Sequence, residues 1–305
     1  MDSWYGPEVI RKLAEIYPQL YLRPGEEGAK EYEAIVRKGL DAQVKDLSHF
    51  LTSPADSSVP EQTPAGEVRV TTLRERADFE LFLQIMAHRC TLKEILPSQG
   101  ASILDGVINW KRIEAHKADF FAKAAEKGEW MPDWGTEFRR FTSDKKNYTD
   151  ALIILSAGPY SGIPAEKMGL EEEEWLAFSH QIRKAHECTH FLCRRLYREK
   201  IDAVWDELVA DAAGLYAAFG KYDRETAEMF LGMKNGVYID GRLQIYTEPE
   251  TREETARRIH AVLPEIQGEC DKMPPDRSPY ELAVCLEERK DELWPAKDQG
   301  ADNNR

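Results

Sequence analysis

The sequence has no run approaching the about 18 to 20 uninterrupted apolar residues that a bilayer span requires, so a membrane is not an expected partner. It has no CxxC pair. Its five cysteines, Cys90, Cys188, Cys193, Cys270 and Cys285, are odd in number, which excludes a Cys-rich zinc finger and suits reduced thiols in the cytoplasm. It has no excess of basic residues. Lys plus Arg is 41 against 55 Asp plus Glu, a formal net charge of −14, and such a chain repels phosphate backbones, so nucleic acid is not an expected partner. Its first residues, MDSWYGPEVIRKL, lack the basic start and apolar run of a secretory signal. No internal repeat is visible. What remains is 305 residues with 42% hydrophobic and 31% charged side chains, the mix of a globular protein with a substantial core.

Apolar spacing predicts helices over 7–48, interrupted at Pro18 and Arg23-Pro24-Gly25, with the second running from about Ala29 to Phe50. The stretch Thr52 to Gly66 holds three prolines and reads as a linker or mobile loop. Strands are expected at 67–73 and 151–157, a strand or helix start at 101–108, helices at 75–92 and 109–127, and an irregular segment from Trp130 to Asn147. Long helices follow at about 170–200 and 202–219. Asp240-Gly241 between β-prone runs signals a hairpin with a type I′ turn. Thr251 and Glu254 form a capping box for a helix that should end by Pro264, and Ser278-Pro279 opens the last helix.

Chemistry concentrates in His186-Glu187-Cys188-Thr189-His190. On a helix, positions i and i+4 share a face, so both histidines can bind one metal ion, while Glu187, about 100° around, can act on a water the ion activates. The next helix offers Glu207-Leu208-Val209-Ala210-Asp211. The 16 intervening residues let the chain turn and return, and Gly214 and Ala218 continue the Glu207/Asp211 face with little side chain. Glu207 is then the expected third ligand. Asp211 accepts from the non-ligating nitrogen of a ligand histidine, and a fourth position stays open as in catalytic zinc sites. Asp206 competes with Glu207 for third ligand but lies about 100° away and lacks a carboxylate at i+4, so Glu207 is favoured.

HECTH followed by ELVAD resembles the HExxH…ExxxD signature of glutamate-ligand zincin metallopeptidases, the thermolysin-like gluzincins. The likeness covers about His186 to Gly214. It implies zinc held by His186, His190 and Glu207, Glu187 as general base, Asp211 behind a ligand, and a peptide or protein substrate. It also implies that the strand before the metal helix, here Ala151 to Ala157, is an edge that pairs with that substrate. The oxyanion donor is open among His260, Tyr246, Tyr238 and Arg242. The expected architecture is a helix-rich α+β, zincin-like fold with a small twisted sheet over the metal helix. Residues 1–66 would form a helical segment and linker, 67–296 the metal-binding domain, and 297–305 a disordered tail. A zinc-dependent hydrolase is the leading reading, and a non-catalytic zinc protein acting through a partner surface the alternative.

Overall fold

The computed structural model describes residues 2–97, 99–200, 202–274 and 276–295. The expected tail, 297–305, lies outside them. The fold is α+β and helix-rich, with one five-stranded sheet and one two-stranded sheet. The chain divides into two compact units, 1–61 with 67–157 and 62–66 with 158–305. The main division thus falls after Ala157, whereas the sequence reading put it after residue 66. Among the described residues no helix is long and apolar enough to cross a membrane.

The first unit starts with β1 (Trp4–Tyr5) and α1 (Glu8–Ile16), whose Val9, Ile10 and Leu13 are fully buried in an apolar core. Helix α2 (Glu26–Lys38) stops well before Phe50, because Gly39 takes the left-handed conformation (φ 66°) that closes a helix. Space forbids a side chain there as well: a Cβ on Gly39 would meet the Trp110 ring at 2.6 Å.

The expected linker is instead largely ordered into β2 (Ser57–Thr63), followed at once by β3 (Gly66–Leu73). Polar anchors explain it. Asp56 accepts from the backbone N–H of Ser53 and Arg74, and the Ser58 and Thr71 hydroxyls bond at 2.8 Å in the interior. After α3 (Arg76–Met86) come β4 (Ala101–Ile108) and α4 (Trp110–Glu126). The segment expected to be irregular contains α5 (Trp134–Thr142), capped by Asp133 accepting from Thr136 N–H.

Strand β5 (Thr149–Ser156) completes the sheet in the order β1-β2-β3-β5-β4, parallel to β3 and antiparallel to β4. The register of β4 shifts between Leu104 and Val107, at Asp105-Gly106. The apolar run 151–157 is therefore an interior strand, not the expected edge. Its Leu152 to Leu155 are buried because both sides and both faces are covered, which is what a continuous apolar strand requires.

The second unit is mostly helical: α6 (Ala165–Met168), α7 (Glu172–Leu196), α8 (Ala203–Phe219) and α9 (Arg224–Leu231). Helix α8 starts at Asp202, whose carboxylate accepts from Val204 and Trp205 N–H, and every residue from Trp205 to Tyr216 is buried. The expected small-residue face is real at Gly214. A Cβ there would lie 2.9 Å from Ile182 Cγ2 and 3.0 Å from Ile182 O, so glycine lets α8 press against α7.

The hairpin of β6 (Met233–Lys234) and β7 (Val237–Tyr238) turns at Asn235-Gly236, not at Asp240-Gly241. Both central residues have positive φ (52° and 74°), as a type I′ turn needs. The buried Glu228 carboxylate selects this turn by accepting from both their N–H groups. Residues expected in the returning strand form α10 (Leu243–Tyr246).

Helix α11 (Pro249–Lys272) is capped at Glu248 with Pro249 in its first turn, so the Thr251/Glu254 box is not its start. It continues through Pro264, where one backbone hydrogen bond is lost. The buried row Ile259, Val262, Leu263 and Ile266 carries it past that point. Helices α12 (Pro279–Glu288), capped by Ser278 as expected, and α13 (Lys290–Leu293) close the described chain.

Candidate metal centre

His186 and His190 lie mid-way along α7, both nearly inaccessible to solvent, with their Nε2 atoms 2.9 Å apart. Glu207 reaches them from α8. Its Oε1 is 3.3 Å from His190 Nε2 and its Oε2 3.6 Å from His186 Nε2. Of the described residues, His186, His190 and Glu207 form the one group whose ligand atoms all fall within 4.8 Å of one another. Glu187, the next residue on α7, is half-buried.

Each histidine is backed by a carboxylate. His186 Nδ1 donates to Asp211 Oδ1 at 3.0 Å, and His190 Nδ1 donates to Asp206 Oδ2 at 2.7 Å. A carboxylate only accepts, so in the neutral rings the proton sits on Nδ1 and each Nε2 presents a lone pair. Two lone pairs 2.9 Å apart, beside a carboxylate, repel unless a cation lies among them. Without a metal that cation is a proton. Burial opposes charge on His190, but its bonds to Asp206 and Glu207 win and raise its pKa well above the usual value. Burial likewise opposes charge on Glu207, yet the two histidines and Arg242 hold its pKa down to about 2.

The donor set fits a divalent ion: two imidazole nitrogens, a carboxylate, and a buried Glu207 Oε2 with no hydrogen-bond partner among the described residues. Three protein ligands leave further coordination positions free.

Two more groups meet Asp211. Tyr160, from the turn between β5 and α6, places its hydroxyl 2.7 Å from Asp211 Oδ1 and 2.8 Å from His186 Nδ1. Arg242, at the start of α10, donates to the Tyr160 hydroxyl at 2.8 Å and to Asp211 Oδ2, and its Nη1 lies 3.8 Å from Glu207 Oε2. Burial pushes the Asp211 pKa up, but Arg242 and His186 outweigh it and hold the carboxyl well below its usual range.

Of the sequence-predicted oxyanion donors, Tyr246 is near the cluster: burial and the Glu207 charge both raise the pKa of its hydroxyl. It also lines a cleft of about 560 Å³ together with Val204, Thr247, Arg252 and Thr255. His260 is engaged elsewhere, bonded to Glu228 at 2.6 Å and half exposed. Tyr238 bonds to Gly241 and faces the Arg252 guanidinium.

Asp206, the weaker candidate for third ligand, instead backs His190, a role the sequence reading did not consider. Asking which carboxylate backs the second histidine would have found it. Tyr160 has no such signal, because its role arises where a loop 26 residues before His186 folds back onto α7.

The chain belongs to DUF7005, a family of unknown function whose profile matches residues 8–268. That span includes both histidines, Glu207, Asp211 and Arg242. No curated protein and no solved structure matches the chain.

Proposed function

We propose that this protein is a zinc-dependent hydrolase of the cytoplasm, and that its substrate is a peptide or protein. The observation that carries the reading is the convergence of His186 Nε2, His190 Nε2 and Glu207 with both Nδ1 atoms tied to carboxylates, the tautomer that ligation needs. Zinc is the metal of choice for two imidazoles and a carboxylate with an open position. When bound, it would supply a Lewis acid that polarises a carbonyl and acidifies water.

The residues do the rest. Glu187 takes the proton of the attacking water and returns it to the leaving amine as the C–N bond breaks. Glu207, with little exposure, keeps its charge for the ion. The cleft that Tyr246 lines would offer room for substrate. None of the five cysteines is in a disulfide, which suits a reducing compartment.

The test is cleavage of a peptide library by the wild type and by Glu187→Gln at equal zinc occupancy. The amide keeps the shape but cannot take a proton, so turnover should fall roughly 10²- to 10⁴-fold while zinc is retained. About one zinc per chain should be found in the wild type and none in the His186→Ala/His190→Ala variant. Zinc binding with no cleavage of any peptide would favour a second reading, a non-catalytic zinc protein. One observation favours it: β5, the strand expected to offer an edge to substrate, is enclosed by β3 and β4.

A further inference from the structure

We infer that Tyr160 and Arg242 are positioning residues that lock the His186 ring in its metal-ligating tautomer and rotation before any ion arrives. The inference rests on the metal-binding part of the reading above and not on hydrolysis.

The argument starts in the chain. Gly158-Pro159-Tyr160-Ser161-Gly162 is a tight turn with Ser161 and Gly162 at positive φ (51° and 69°). It is fastened to α7 at two points. Ser179 Oγ accepts from Tyr160 N–H at 2.9 Å, and Arg183 donates to the carbonyls of Gly158 and Pro159, each at 3.2 Å. Ser179, Arg183 and His186 occupy positions i, i+4 and i+7, one face of the helix. The same stripe that carries the ligand therefore holds the turn. The Tyr160 ring is buried edge-on against Phe230, with centroids 4.8 Å apart.

The hydroxyl has one proton and two lone pairs. Arg242 can only donate, so it occupies a lone pair. Asp211 can only accept, so it takes the hydroxyl proton. Nothing is left for Tyr160 to donate to His186 Nδ1, 2.8 Å away, and that nitrogen must carry its own proton. The flipped tautomer would set a bare nitrogen against a carboxylate and an oxygen lone pair. Arg242 ties the second Asp211 oxygen, so the carboxylate cannot swing away. Its charge also compensates. Asp206, Glu207 and Asp211 carry three negative charges between them, which a divalent ion and one guanidinium neutralise within this buried cluster.

The test is Zn²⁺ affinity of the full chain by competition with a chromophoric chelator, together with the visible spectrum of the Co²⁺-loaded protein. Tyr160→Phe keeps the ring and should weaken Zn²⁺ by roughly 10-fold and alter the Co²⁺ bands. Tyr222→Phe removes another buried tyrosine hydroxyl, one with no partner among the described residues, and should change neither. Arg242→Lys keeps the charge and loses the fork, and should also weaken Zn²⁺ by roughly 10-fold. It carries the test if Tyr160→Phe fails to fold. Wild-type affinity and spectrum in Tyr160→Phe, or wild-type affinity in a folded Arg242→Lys, would overturn the inference and leave the metal site standing. A wild type that binds neither Zn²⁺ nor Co²⁺ would overturn both.

Discussion

The two histidines face each other tip to tip, yet their backs differ. Behind His186 stand Asp211, Tyr160 and Arg242, with both oxygens of the carboxylate engaged. Behind His190 stands Asp206 alone, whose Oδ1 is buried without a partner among the described residues. On its Nδ1 side the first ring is braced by three groups and the second by one carboxylate.

The strongest way to break the comparison is to neutralise each backing carboxylate in turn. Asp211→Asn leaves Arg242 buried without its partner and should cost about 3–5 kcal/mol of stability. It should also cost up to about 100-fold in Zn²⁺ affinity. Asp206→Asn should cost about 10-fold in affinity and far less stability, because no arginine depends on it. Thermal unfolding and chelator competition on both variants check the order, and equal losses would erase the asymmetry.

A smaller effect is expected from Gly214→Ala. Gly214 lies three residues beyond Asp211 on α8, against Ile182, four residues before His186 on α7. The added methyl should destabilise by about 1–3 kcal/mol, and the metal loss should run through the His186 side. In the Asp211→Asn background the further loss of Zn²⁺ affinity should therefore shrink, which a double-mutant cycle measures.

The smallest effect sharpens the His190 side. Burial, reinforced by Asp206, pushes the Glu287 carboxyl up to about 7. The stability it contributes is full below the unfolded pKa of roughly 4.3 and is lost as pH rises from there through about 7, because the unfolded carboxyl ionises over that range while the buried native one stays protonated. Glu287→Gln should gain stability relative to wild type at pH 8 and much less at pH 5. Urea unfolding at the two pH values reads it.

The metal helix and its partner were legible because their patterns are local. His186 and His190 at i, i+4, Glu207 and Asp211 at i, i+4, and the Gly214 notch all repeat at the helical period. The hairpin was misplaced because Asn235-Gly236 and Asp240-Gly241 are equally good turn pairs, and the choice is made by Glu228, a side chain on another element. Residues 52–66 read as a loop because they hold three prolines among several Ser and Thr, while the partners that help order 56–63, Thr71 and Arg74, stand on the next strand and just beyond it. Tyr160 was invisible for the same reason, since its meaning lies in three partners from three other elements.

The shift of register at Asp105-Gly106 bears on how the chain behaves in a crowd. The apolar core of the sheet is its inner strand β5, and the two outer positions fall to β1, only two residues long, and to β4, which the irregularity interrupts. A straight, unbroken row of free amides and carbonyls is what another molecule needs for stacking onto a sheet, and β4 does not supply one. On that margin the kink discourages growth into fibrils.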